Sequence, residues 1–156
     1  MRGCGLIRVL GSVLLLCATL CATADAQETG IVSITEYRAR HPDVESGARL
    51  LFETRRCSAL FSLVAESRRD RGDEGTAEMY TDWRIGFEVR AAELVAREGS
   101  ASRIQLQDVA RANQDAIERI QDQLRARMRR AGGLATDPLL SSDFRTCRAL
   151  VDELRL

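Results

Sequence analysis

LFETRRCSALFSLV, residues 51–64, is the stretch whose reading decides the fold. Together with Leu50 just upstream, Thr54, Cys57, Leu60, Phe61 and Val64 recur in steps of three and four, the spacing of one helical face. The pattern predicts a helix over about residues 43–70, with Asp43 as a candidate N-cap and Glu45 adding negative charge to the first turn. A single cysteine on that face could be a ligand, a nucleophile or half of a disulfide.

The same period continues outward. RDRGDEG (69–75) breaks the helix at Gly72 and Gly75. A third helix is expected over about 74–98, with Thr76, Tyr80, Trp83, Phe87, Ala91 and Leu94 on its face. Gly99-Ser100 ends it, and Ser100 or Ser102 caps a fourth over about 101–130. Leu106, Ala110, Asn113, Ile117, Ile120, Leu124 and Met128 form the seam of that fourth helix. AGGLATDPLLSSD (131–143) is the expected loop. Ser141, Ser142 or Asp143 would cap a last helix to about 155, with Phe144, Cys147, Leu150, Val151 and Leu154 inward. Upstream, residues 34–40 suit two helical turns stopped by Pro42, which disfavours helix at the residue before it. No alternating run competes for a strand. The expected fold is all-α: an antiparallel four-helix bundle over 43–156, preceded by an N-terminal segment, 27–42, with a short helix.

The chain opens MRGCGLIRVLGSVLLLCATLCATADAQ. Arg2 and Arg8, the apolar run Val9 to Leu20, and Ala24-Asp25-Ala26 make the three parts of a secretory signal, with cleavage expected between Ala26 and Gln27. The apolar run falls short of the roughly 20 residues needed to span a bilayer. The expectation is therefore a periplasmic or secreted chain whose mature part does not span a membrane. Cys4, Cys17 and Cys21 would leave with residues 1–26, so Cys57 and Cys147 remain. Two cysteines on core faces of an exported protein are expected to pair. The chain-entropy model gives a loop of this size about 4–5 kcal/mol. The alternative is a redox-active thiol, for which Arg55, Arg56, Arg145 and Arg148 supply nearby cations. Residues beside a cysteine in sequence, however, project off its helical face.

Composition removes several chemistries. The 23 basic residues are all arginine, so there is no Schiff-base or P-loop lysine. They balance 23 acids, leaving no net charge to attract nucleic acid. Asp70, Asp73 and Glu74 cluster at a glycine turn without the spacing of an EF-hand loop. No acid is expected on an apolar face, so no pair is singled out for general acid–base work. No catalytic, cofactor-binding or metal-ligating residue is therefore assigned. Trp83 shares a stripe with Tyr80 and Phe87, which favours a core position over a binding anchor. Asn113 and Arg84 are the polar residues near the seams.

His41-Pro42-Asp43, with Tyr37-Arg38 upstream, resembles over about eight residues the loop by which J-domain co-chaperones engage Hsp70. That family carries a long basic helix before the tripeptide, whereas in the expected mature chain only residues 27–40 would precede it, so the tripeptide is read as a helix stop. Gly72, Ala77 and Tyr80 resemble part of a tetratricopeptide hairpin, but nothing recurs at the ~34-residue period of such arrays. Signal, RCSALF helix, glycine hairpin turn and late cysteine together resemble small exported all-helical proteins of proteobacteria with two mature cysteines and no assigned activity. The resemblance implies fold and compartment and transfers no catalytic residue. The functional expectation is a non-enzymatic protein that binds or scaffolds another envelope protein, with the Arg- and Glu-rich outer faces of the third and fourth helices as contact surface. The alternative is a small-ligand or redox-responsive bundle using the Trp83 and cysteine region.

Overall fold

The computed structural model describes residues 31–44, 46–98 and 103–156, and Val32–Leu156 forms one compact unit. The signal segment with its Ala26/Gln27 cleavage point, Glu45, the Gly99-Ser100 stop and the Ser100 or Ser102 cap lie outside the described residues.

Five helices follow in order: α1 (Ile34–Arg40), α2 (Ser46–Arg69), α3 (Glu74–Glu98), α4 (Arg103–Ala131) and α5 (Pro138–Leu154). Ser33 caps α1, its hydroxyl accepting the Glu36 amide at 3.0 Å. His41-Pro42-Asp43 is the exposed turn between α1 and α2. Asp43 does not cap α2, which begins three residues later, because Pro42 and Asp43 are spent in that turn.

The expected caps of the last helix also move. Asp137 is the N-cap of α5, its Oδ1 accepting the amides of Leu139 at 2.9 Å and Leu140 at 3.0 Å. Pro138 takes the first helical position, where a missing N–H costs nothing. Ser141, Ser142 and Asp143 are consequently interior to the helix. Just before it, α4 ends on Gly132 and Gly133, both at positive φ, and the Gly133 amide reaches back to the Met128 carbonyl at 3.0 Å. A glycine supplies that left-handed closure without a Cβ penalty.

The bundle is antiparallel and all-α among the described residues, with α2 as its hub. α3, α4 and α5 all pack on α2, so from Glu53 to Ala65 it is buried on nearly every side and not along one stripe. Phe61 sits at the centre, its ring 5.4–6.0 Å from those of Tyr80, Trp83, Phe87 and Phe144. Aromatic pairs at such separations add roughly 0.5–1.5 kcal/mol each beyond area burial. The α4 seam is buried at Asn113, Ile117 and Leu124, but Leu106 and Ala110, expected on the same seam, are exposed. They lie on the first two turns of α4, where they line a groove against the C-terminal half of α3.

Cys57 and Cys147 form a disulfide with a Cα–Cα distance of 5.3 Å, tying α5 to the hub across 90 residues. Both cysteines are fully buried.

Candidate functional site

Two kinds of feature stand out from the packed core. One is a set of buried charges, and the other is a set of open apolar surfaces.

The charges overturn the expectation that no acid faces the core. Asp143 is 0% exposed and Glu53 and Arg56 are 3% exposed. The reason for Asp143 is the early start of α5, which sets it one helical turn before Cys147 on the inward face. Its Oδ2 accepts from Arg56 Nε at 2.8 Å, and its Oδ1 accepts the Ile34 amide at 2.8 Å. One carboxylate therefore holds α5 to α2 and anchors the first residue of α1. Arg56 escapes the surface because α2 is enclosed on that side too, and its Nη2 is buried without a hydrogen-bond partner. Burial lowers the Arg56 pKa and raises that of Asp143, each opposed by the charge of the other. Desolvation outweighs attraction, as is common for buried pairs.

Neighbouring pairs extend the network. Arg38 forks onto Glu53 with two 2.7 Å bonds, joining α1 to α2. Arg127 donates to Asp137 at 2.7 Å, joining α4 to the α5 cap. Arg55 donates to the buried Asn113 at 2.6 Å, linking α2 and α4. These groups act as ties between elements. Among the described residues no three of His, Cys, Asp and Glu are placed to hold a metal ion.

Trp83 is half-buried, and the Arg148 guanidinium lies 4.8 Å above its ring, a cation–π contact. Trp83 and the two cysteines line none of the three cavities described next.

The largest of these, about 570 Å³, lies under the α4–α5 loop between the C-terminal turns of α2 and α4. The second, about 440 Å³, is a groove among α1, α2 and α4 beside the stacked rings of Tyr37 and Phe52. The third, about 370 Å³, is a shallow apolar groove between the C-terminal half of α3 and the first turns of α4, lined by Val89, Ala92, Ala96, Leu106, Val109 and Ala110.

This third groove has a sequence signal that the core stripe hides. Besides the inward stripe of Tyr80 to Leu94, α3 carries a second apolar run, Ile85, Val89, Ala92 and Ala96, in steps of four, three and four. Val89 is 54% exposed, Ile85 44% and Leu106 42%. On the same helix, part of the charge expected as contact surface is paired within α3, Arg84 with Glu88 at 2.6 Å and Arg90 with Glu93 at 2.9 Å.

No family model matches the chain, and no curated protein or solved structure matches it. Fold and geometry therefore define its class: an all-α bundle with a buried disulfide, a core ion network and open apolar surface on two faces. No helix among the described residues is long and apolar enough to cross a membrane.

Proposed function

We propose that this is an exported, non-catalytic protein that works by docking another protein, and that the groove between α3 and α4 is where it does so. The observation that carries the reading is the outward apolar run of α3, with Val89 about half-exposed across the groove from Leu106 of α4 and Ile85, also exposed, one turn before Val89. Large side chains grouped on an open face mark interaction sites on soluble domains. A groove between two helices suits an amphipathic partner helix, which would lay its own i, i+3, i+4 residues along it. The charged pairs Arg84–Glu88 and Arg90–Glu93 then form a polar rim on the same helix. Export is supported by the signal-like first 26 residues and is compatible with the disulfide, which persists in oxidising compartments.

The test places a photo-crosslinking amino acid at Val89 in the full chain expressed in cells, with Glu118 as the control position. A discrete adduct from Val89, absent from Glu118 and lost with Leu106→Glu, is expected. Identical adducts from both positions, or none from Val89, would overturn the docking reading. N-terminal sequencing of the recovered chain checks export separately, with Gln27 expected as the first residue.

A further inference from the structure

The cavity under the α4–α5 loop is built unlike the docking groove and stands on different residues. Its floor is apolar, formed by Leu63 and Val64 of α2, Met128 of α4 and Phe144 of α5. Its mouth carries three arginines, Arg68, Arg71 and Arg129. Arg68 already meets Asp73 at 3.3 Å. Arg71 and Arg129 have no acidic partner among the described residues. The mouth thus holds three cations against one carboxylate. The cavity wall adds Tyr80, which is only 5% exposed and makes ring contacts but no hydrogen bond among the described residues. Its hydroxyl is not among the buried atoms left without a partner, so it keeps solvent access at that wall, where a bound ligand can reach it. The volume, about 570 Å³, falls among small-molecule sites, which span about 300–1,000 Å³.

We propose that this cavity binds an amphiphile with one anionic head and a single short apolar chain. The chain would lie along Leu63, Val64, Met128 and Phe144. The head, a carboxylate or a phosphate, would sit between Arg71 and Arg129, where guanidinium forks make charge-assisted hydrogen bonds about twice as strong as neutral ones. Tyr80, on the cavity wall, offers its hydroxyl to a polar atom of the ligand. Neutral apolar ligands would leave the two cations unanswered, and short anions would leave the floor uncovered. A fatty acid and a single-chain phospholipid share the required chemistry, and the two heads separate them.

The disulfide-intact chain, as recovered from cells, is titrated by calorimetry below micellar concentrations with decanoate, decyl phosphate, decanol and butyrate. Saturable one-to-one binding of decanoate or decyl phosphate is expected, with decanol and butyrate each at least tenfold weaker. The tighter of the two anionic probes identifies the head. Arg71→Gln with Arg129→Gln should weaken the anionic probe about tenfold or more and leave decanol unchanged. Met128→Trp should fill the cavity and abolish binding of all probes. Both variants are checked for unchanged melting. Equal binding of decanol and decanoate, an unaltered affinity in the double arginine variant, or no saturable binding of either anionic probe would each overturn the proposal.

Discussion

Asp143 joins three helices through one carboxylate, since its two oxygens hold Arg56 of α2 and the Ile34 amide of α1 at once. Replacing it with alanine strands a buried guanidinium that already has one nitrogen unpartnered. Removing one member of a buried pair costs about 3–5 kcal/mol, whereas replacing both by apolar groups of similar size is often neutral. Chemical denaturation should therefore show Asp143→Ala strongly destabilised and Arg56→Met/Asp143→Leu largely restored. A double variant as unstable as the single one would mean that the Ile34 anchor, not the pair, dominates. Asp137 behaves oppositely to Asp143 on acidification. Burial works to raise its pKa, but the Leu140 and Leu139 amides and Arg127 hold it below the usual carboxylate range. A lowered folded pKa gives stability that is present above the unfolded value of about 3.9 and is lost as pH falls through the folded one. Asp137→Ala should cost about 1–2 kcal/mol at pH 7, as for a lost N-cap. Urea midpoints at pH 7 and near pH 2 should show that penalty shrinking in acid. Neither role was legible in the sequence, where Asp143 passes for a cap and Asp137 for a loop residue. The displacement follows from Pro138, which could equally end a loop or open a helix.

At the scale of elements, the period of three and four residues together with the Pro42 and glycine stops was enough to place α1 and α3 at their observed bounds, and α2 and α4 within three residues. It was also enough to set Cys57 and Cys147 on facing stripes, because a disulfide between core faces leaves its mark in the same period as the core. What periodicity concealed was a helix with more than one apolar side. α2 is enclosed all round, so Arg56 is buried despite its place beside the stripe, and α3 presents Ile85 and Val89 outward behind a strong inward pattern. The disulfide is the covalent tie between α5 and the hub. Cys57→Ala, Cys147→Ala and the double variant should lose the same stability, a few kcal/mol and up to the about 4–5 kcal/mol of the loop-entropy model. Equal melting temperatures with and without reductant would refute this. The residual stability of the reduced chain would then measure what the Asp137 cap and the Arg56–Asp143 pair hold by themselves.

For the whole molecule, the two open surfaces depend differently on the covalent tie. Phe144, on the cavity floor, stands one turn before Cys147 on α5, and the cavity roof is the loop that leads into that helix. The groove proposed for docking is lined by residues of α3 and α4, and no residue of α5 lines it. Loosening α5 should therefore act on one surface and spare the other. The chain treated with reductant, and held well below the melting temperature of the reduced form, should lose affinity for decanoate and decyl phosphate while the Val89 crosslink is retained. Local opening of a terminal helix costs less than global unfolding, so such a partial state is accessible when the tie is cut. Hydrogen exchange provides the control, with faster exchange expected in residues 138–154 and unchanged protection through α2 and α3. Reduction that abolished both activities, with protection lost throughout, would show that the bundle opens as one cooperative unit and that the disulfide fastens the whole fold and not its last helix.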